Sequence, residues 1–584
     1  MKAGPPWRAQ PLIAGGRSGS GNLLGGMARV RSYWGWGYED KFPRDDSRKA
    51  VAARLGAVFG KTPALSPLPS LESARMPEPR YSPPVELRGI GTTDKHERAV
   101  HTYGRGYRDL VRGFNGDFAA APDWVFHPTE EQHLTALFRF CEKESIAFVP
   151  FGGGTSVVGG TELATTPGGR FRGTASVDLS RMDKVLEFDM MSRAARIQGG
   201  ATGPRISDQL HAHGFSLRHF PQSFELSTLG GWIATRAGGH YATLYTHIDD
   251  FVESVRMVTP AGVFETRRLP SSGAGPSPER FVLGSEGAFG VITEAWVRVQ
   301  PRPRWRASAS VHFARFEDAV IAARMLSQSG LYPANCRLLD PGEAMLHQVA
   351  TDGTSVLLIA FESADHPVEP WMERALSIAT DLGGDGDEPK YTTDVVNSIA
   401  PRASSIPAPA PTSNRPPSID HDASDASMWK QAFLDAPYLQ SALVSMGIVC
   451  DTFETACTWD RFAALHDAVT KAVDAAMKDA CGGGIITCRF THVYPDGPAP
   501  YYTFVAPGRA GAELEQWAKI KSAASEALLA HGGTITHHHA VGRLHRPWWE
   551  KERSPLFEAA LSAAKDRLDP GGILNPGCLL PAKT

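Results

Sequence analysis

Cysteine is sparse and unpatterned in this chain. The seven residues Cys141, Cys336, Cys450, Cys457, Cys481, Cys488 and Cys578 form no C-x-x-C pair and show no ligand spacing. That absence excludes a disulfide framework and fits free thiols in a reducing compartment. No apolar run approaches the ~18 residues of a membrane span. The net charge of −3 gives no general pull toward nucleic acid, so no such partner is expected. The glycine-rich stretch 150–160 has neither the Lys-Ser/Thr ending of a P-loop nor the G-x-G-x-x-G spacing of a Rossmann turn. Residues 1–26 lack the apolar core of a secretory signal. The ending Pro581-Ala582-Lys583-Thr584 is not the Ser-Lys-Leu peroxisomal address. These absences leave a cytoplasmic location as the expectation. No internal repeat is found.

What is present is the room and composition of an enzyme. The 584 residues allow two or more domains, and 42% apolar with 21% charged residues is ordinary for a soluble globular protein. The run Ile146-Ala147-Phe148-Val149 reads as a buried strand leading into Pro150-Phe151-Gly152-Gly153-Gly154-Thr155-Ser156. Consecutive glycines permit positive φ and close approach of the backbone to a ligand. Successive N–H groups in such a turn form an anion site, with the Thr155 and Ser156 hydroxyls beside it. A plain glycine turn between strands is the alternative. Further glycine-rich stretches at 220–239 and 283–293 argue against it. One ligand touched by three such segments is long and carries several polar groups.

Residues 39–85 are polar and proline-dotted, with one short helix expected. Thr129 and Gln132 are spaced as a capping box for a helix carrying Leu134, Leu137, Phe138 and Cys141 on one face. From about 306, strand-like segments such as 308–313 and 355–361 alternate with helical ones. Residues 384–426, rich in Pro, Ser, Ala and Asp, read as a flexible excursion, with order resuming at Met428. Thr458 can cap a helix bearing Phe462, Leu465, Val469, Val473 and Met477. A second helix bears Leu514, Trp517, Ala524 and Leu528 and stops before Gly532-Gly533. The first ~26 residues are expected to be a disordered leader before a compact start at Met27.

The three glycine segments, in this order, resemble the FAD-binding lobe of the vanillyl-alcohol oxidase flavoproteins. Asp569-Pro570-Gly571-Gly572-Ile573-Leu574-Asn575-Pro576-Gly577 is similar to that family's closing motif. Within it the chain resembles the alkyldihydroxyacetonephosphate synthases. The matching pieces are Trp34-Gly35-Trp36-Gly37-Tyr38, Arg337-Leu338-Leu339-Asp340, Phe453-Glu454-Thr455, Cys488-Arg489 and Thr536-His537-His538-His539-Ala540-Val541-Gly542. The triple histidine followed by Ala-Val-Gly is the most specific of these.

The resemblance implies an α+β fold: a PCMH-type FAD-binding domain of two α/β subdomains, and an α+β cap domain with an antiparallel sheet. Its boundaries would be an N-terminal extension over 1–85, the FAD domain over 86–303, the cap over 304–535 and a returning C-terminal segment over 536–584. It implies noncovalent FAD touched by Pro150, Gly152, Gly153, Gly154, Thr155, Ser156, Gln222, Ser223, Ser227, Thr228, Gly231, Thr235, Arg236, Gly238, Glu286, Gly287, Gly290 and Val291. It also implies a reaction in ether-lipid synthesis: the acyl chain of acyl-dihydroxyacetone phosphate is exchanged for a fatty alcohol through a flavin N5 adduct, without net redox change. Lipid substrates of this kind leave room for a peripheral membrane contact, and the resemblance for a homodimer.

Such chemistry needs stabilisation of a departing carboxylate, a proton donor and acceptor, and a cation for phosphate. Tyr501 matches the synthases' proton-transferring tyrosine. Its neighbour Tyr502 would then face a core, since strand side chains alternate. His537, His538 and His539 match the catalytic histidines, and Arg337 a required arginine. Arg489 and Arg543 are further cations. Three adjacent residues of an extended chain cannot converge on one ion, so no metal is expected. Gln440 stands where the synthases have a substrate-binding arginine; it can donate hydrogen bonds but cannot neutralise phosphate. That departure keeps two alternatives open: an FAD-dependent oxidase or dehydrogenase of a hydroxy acid or alcohol, and a flavin-binding relative without turnover.

Overall fold

The computed structural model describes residues 29–162, 169–347, 349–393 and 436–582. The expected leader, the bulk of the 384–426 excursion and the restart at Met428 lie outside the described residues. The first sheet contains β1 (Gly91–Thr92), β2 (Trp124–Phe126), β3 (Ile146–Phe151) and β4 (Gly173–Asp178), in the order β1-β2-β4-β3. β4 runs parallel to both β2 and β3. The helix Glu131–Glu144 covers β3, packing Leu134, Leu137, Phe138 and Cys141 against Ile146, Phe148 and Val177. It does not start with the expected capping box. Glu130, not Thr129, holds the N-cap position, and its side chain bonds no helix N–H. The Thr129 N–H instead donates to His133 Nδ1 at 3.3 Å. The frame therefore lies one residue further on, and Gln132 is no longer the third helical residue.

The second sheet takes β5 (Val185–Asp189) and β6 (Ala194–Gln198), then, beyond the short β7 (Phe215–Ser216), β8 (Val252–Thr259), β9 (Gly262–Glu265) and β10 (Val291–Arg298). Its order is β5-β6-β10-β8-β9, all antiparallel. β7 pairs with β11 (Gln300–Pro301) alone. The short helix Leu229–Thr235 is capped by the Thr228 hydroxyl, which accepts from the Gly231 N–H at 3.2 Å. Its Leu229, Trp232 and Ile233 share a core with Ile292 and Ala295 of β10. The closing motif returns to the first sheet: the Phe148 N–H donates to the Ile573 carbonyl and the Asn575 N–H to the Phe148 carbonyl, at 2.9 and 2.8 Å.

The third sheet has eight strands: β12 (Trp305–Phe313), β13 (Asn335–Leu339), β14 (Ser355–Ser363), β15 (Asp385–Gly386), β16 (Lys390–Thr393), β17 (Ile448–Glu454), β18 (Ile485–Val493) and β19 (Pro498–Pro507). β15 and β16 correct the expected excursion at its start. Residues 385–386 and 390–393 pair with the edge of β12, because an edge strand offers unpaired N–H and carbonyl groups to any neighbouring chain.

Helices cover one face of this sheet. Phe316–Gln328 and Glu369–Thr380 pack on Val311, Phe313, Cys336, Leu338, Leu357 and Phe361. Trp459–Cys481 and Glu513–Ala530 pack on Phe453, Cys488, Tyr502 and Phe504. The apolar stripes expected on the latter two helices are inward, with Leu514 half-buried. Thr458 occupies the N-cap position of Trp459–Cys481 without a side-chain bond to the helix backbone.

Because strand side chains alternate, the opposite face carries Ser308, Ser310 and His312 of β12, Arg337 of β13, Leu358 and Ala360 of β14, and Tyr501, Thr503 and Val505 of β19. Tyr502 is fully buried among Phe453, Phe504 and His466, its hydroxyl 3.2 Å from His466 Nδ1. Replacing Tyr502 by Ala should lower unfolding stability by about 3–5 kcal/mol in denaturant titrations. Tyr501→Phe, which loses one hydrogen bond at the cavity wall, should cost under about 1.5 kcal/mol.

Candidate active site

The free face of the third sheet and the three glycine segments enclose one cavity of about 1260 Å³. Each of the expected cofactor residues except Arg236 lies on its wall. In the glycine loop, a Cβ on Gly152 would stand 2.3 Å from Thr228 Oγ1, and one on Gly153 would stand 2.2 Å from the Leu226 carbonyl oxygen. Only glycine allows the first and second segments to meet this closely. Ser156 Oγ accepts from the Gly160 N–H at 2.9 Å and fixes the end of the loop. Asn575 joins the first and third segments, donating from Nδ2 to the carbonyls of Gly160 and Glu286 at 2.9 and 2.8 Å. A wall of close-packed glycines, the Thr155 and Ser156 side chains beside them and a cavity of this volume fit a dinucleotide. Arg236 departs from expectation: it caps its helix in a left-handed conformation, and its side chain turns outward to pair with Asp249 at 2.8 Å.

Tyr501 lies on the cavity wall with the Arg489 guanidinium 4.1 Å above its ring. Its hydroxyl donates to Thr452 Oγ1 at 2.9 Å, and burial raises its pKa above the ordinary value. Arg489 also lines the cavity and is ion-paired with the fully buried Glu343, which additionally accepts from Thr487 Oγ1 at 2.6 Å. Arg337 is 1% exposed and donates from Nη2 to the His240 carbonyl at 3.0 Å. Burial, then Arg489, pulls its pKa down to about 9. Gln440 reaches the wall and donates to the Cys450 carbonyl at 3.2 Å. Arg543 is engaged behind the glycine loop by the carbonyls of Gly159 and Pro576, away from these groups.

The histidine run is held by a residue whose role the sequence reading did not assign. Glu454, 2% exposed, accepts from Thr536 Oγ1 at 2.6 Å and from the N–H groups of His537, His538 and His539 at 2.6, 3.2 and 3.0 Å. Burial alone would raise its pKa, but His538, His539, His537 and the Thr536 hydroxyl override this and hold the carboxyl well below the usual range. His538 and His539 line the cavity. His537 sits behind them, its Nε2 2.8 Å from the Tyr494 hydroxyl and 3.1 Å from His247 Nε2. Burial lowers the pKa of all three and pushes His539 down to about 3.

His492 was also missed. A register shift between Phe490 and His492 in β18 turns its ring toward His537 and His538. Nitrogens of these three rings lie within 4.8 Å of one another, a spacing that could hold a metal ion. The third imidazole comes from another strand, which alternation within the run alone does not reveal. The rings are engaged with one another and with protein groups: His492 Nε2 contacts the Gly239 carbonyl at 3.1 Å, and His537 Nδ1 contacts His538 Nδ1 at 3.0 Å.

The fold and this cavity define a flavoprotein of the FAD-linked oxidase class. Residues 122–267 match the family described as "FAD binding domain", and residues 302–579 match "FAD linked oxidases, C-terminal domain". Over 553 residues the chain is 30% identical to an alkyldihydroxyacetonephosphate synthase of Trypanosoma brucei brucei, covering 93% of this chain and 87% of the relative. It is likewise 30% identical over 539 residues to that of Dictyostelium discoideum, covering 90% and 84%. A solved alkyldihydroxyacetonephosphate synthase superposes with a TM-score of 0.72 at 25% identity, over 94% of this chain and 98% of that one. The chain belongs to the alkyldihydroxyacetonephosphate synthase family, and its cofactor is FAD.

Replacing Glu454 by Gln puts an amide NH2 where the histidine run presents only donors. Stability should fall by about 2 kcal/mol. Displacement of His538 and His539 should slow turnover about 100-fold. Flavin absorbance per chain should stay unchanged, which separates loss of positioning from loss of the fold.

Proposed function

We propose that the chain exchanges the acyl group of acyl-dihydroxyacetone phosphate for a fatty alcohol, with FAD held noncovalently. The observation that carries this reading is the convergence of Tyr501, Arg337, Arg489, His538 and His539 on the cavity that the three glycine segments also line. Bound flavin supplies a nucleophilic ring nitrogen and an electron sink. The protein's own groups supply the rest. Arg337 and Arg489 offer forked donors to the phosphate. His538 and His539, neutral, donate N–H to the departing carboxylate as its charge develops. Tyr501, with a raised pKa, keeps its proton near neutrality and can deliver it; Thr452 orients the hydroxyl. Leu346, Val349, Leu358, Leu439 and Leu443 give the same cavity an apolar wall suited to alkyl chains. Long-chain substrates carry with them a peripheral membrane contact. No helix among the described residues is long and apolar enough to cross a membrane.

A second reading is favoured by one observation. Gln440 is neutral and bonded to a main-chain carbonyl, so the cavity has one cation fewer for a phosphate. An oxidation of a less anionic hydroxy acid or alcohol would suit it, and substrate-driven bleaching of the flavin would reveal that.

Purified holoprotein given acyl-dihydroxyacetone phosphate and labelled fatty alcohol should form labelled alkyl-dihydroxyacetone phosphate with no electrons passed to an external acceptor. Absence of that product from folded, flavin-loaded protein would refute the proposal. Tyr501→Phe should lower kcat by about 100- to 10,000-fold with flavin retained. Gln440→Arg should lower KM for the phosphate substrate about tenfold, because a charge-assisted bond replaces a neutral one.

A further inference from the structure

Arg489 meets Tyr501 in a way that phosphate binding does not require. The two residues are paired in register on β18 and β19, and the guanidinium lies 4.1 Å from the ring centroid, over its face. The side chain is buried and clamped. Glu343, fully buried on the short helix Pro341–Leu346, forms an ion pair with it. That carboxylate is itself fixed twice more: it accepts from Thr487 Oγ1 at 2.6 Å and contacts His347 Nε2 at 3.1 Å.

The other groups around the Tyr501 ring come from three elements. β17 supplies Thr452, whose Oγ1 accepts from the Tyr501 hydroxyl at 2.9 Å, and the carboxylates of Asp451 and Glu454. The returning segment supplies His538, stacked on the ring with centroids 6.1 Å apart, and His539, edge-on at 5.6 Å. Lys521, on the helix Glu513–Ala530, donates to the Thr452 carbonyl at 2.8 Å and lies 3.6 Å from Asp451. Burial opposes ionisation of the phenol most strongly, and the two carboxylates add to it. Arg489 is the strongest influence in the other direction, ahead of the Thr452 hydroxyl.

Acyl exchange moves protons as well as carbon–oxygen bonds. The bond from the acyl oxygen to the substrate carbon breaks, and its electron pair leaves with the carboxylate. A bond forms from that carbon to the alcohol oxygen, which gives up its proton. A tyrosine that delivers its proton to the carboxylate is left as a phenolate until the alcohol's proton restores it. A buried anion without a counter-charge is costly. A cation on an aromatic face is attracted by the ring, and a full negative charge in that ring strengthens the attraction.

We infer that Arg489 is a positioning residue for Tyr501: Glu343 clamps its guanidinium on the ring face, where it is the counter-charge of the phenolate that exists between the two proton transfers. This role is separate from the donors that Arg489 offers to phosphate. Its place in the cycle rests on the exchange reading, whereas the pairing is read with no substrate present.

Tyr501 is replaced by 3,5-difluorotyrosine, and ionisation of that ring is followed by fluorine NMR of the flavin-loaded protein as pH is raised. R489M should raise the midpoint by about one pH unit or more, because an opposite charge at this range favours the ionised form by that much. R489K keeps the charge but loses the planar face, and should fall between. R489M leaves Glu343 buried without its cation, so R489M/E343M, which removes both charges, is measured alongside; such paired replacement is often neutral for stability. It should raise the midpoint as R489M does. In protein with the natural tyrosine, R489M should lower kcat for exchange about tenfold or more, with partial rescue in R489K. An unchanged midpoint in R489M and R489M/E343M would overturn the inference. So would a raised KM with kcat intact, which marks Arg489 as a phosphate ligand alone. A shifted midpoint in protein that forms no alkyl product would support the pairing and refute the exchange reading, so the two failures are told apart.

Discussion

The run from Thr536 to Gly542 is clamped by two buried carboxylates that reach it from opposite halves of the molecule. Glu454, at the end of β17, takes the Thr536 hydroxyl and the N–H groups of the three histidines. Glu286, in the third glycine segment, takes the N–H groups of Val541 and Gly542 at 2.9 and 2.7 Å. Between them Ala540 adopts φ of 70°, a left-handed turn that reverses the chain from one carboxylate to the other. Gly542 then presses against the first glycine segment, where a Cβ would stand 2.2 Å from the Val158 carbonyl oxygen. Charge-assisted bonds to main-chain N–H groups tolerate little displacement. The height of His538 and His539 above the cavity is therefore set jointly by both halves, and relative movement of either would carry the imidazoles with it.

The eight-stranded sheet does the complementary task. Its helix-covered face supplies rigidity, and its bare face presents reactive groups at fixed intervals. Tyr501 is paired in register with Glu454 on one side and Arg489 on the other, so the cavity tyrosine, the histidine anchor and a cation share one rung of the sheet. A single rung crosses the sheet at strand spacings of about 5 Å, which places these groups within reach of one small substrate headgroup. The shift in β18 adds His492 to the same region without disturbing that rung.

Much of this was legible where local pattern and tertiary demand coincide. The glycine segments could be read because close backbone approach leaves no other residue possible, as at Gly152 and Gly153. The stripes of the two long helices could be read because a 3.6-residue period has one packed face. The match to the synthases favoured Tyr501 for the cavity, and alternation then put Tyr502 in the core. Reading failed where a choice depended on distant atoms. The capping box at Thr129 lost to a frame one residue on, in which His133 takes the Thr129 N–H. Arg236 sits among cofactor-lining residues in sequence, yet a left-handed cap turns it to Asp249. Composition at 384–393 signalled a loop, but the open edge of β12 recruited it as strands. Glu454 has no local signature: its significance comes from what it meets far along the chain.

Charge is distributed in the cavity with the same economy. Four arginines fall into two pairs, Arg31 with Arg105 behind the glycine loop and Arg337 with Arg489 on the cap sheet. Within each pair one guanidinium depresses the other. Among the described residues, only the second pair has a carboxylate at ion-pair distance, Glu343 on Arg489. That pairing removes one positive charge from the substrate end, and Gln440 adds none. Recognition of a substrate anion there draws on the guanidinia of Arg337 and Arg489 together with neutral donors: Tyr501, Gln440, His538 and His539. Neutral donors discriminate by direction more than by charge, since their bonds weaken steeply when misaligned. They also hold an anion less firmly than guanidinium forks do. The neutral donors therefore suit a group whose charge develops during a reaction, while the guanidinia suit one that arrives charged.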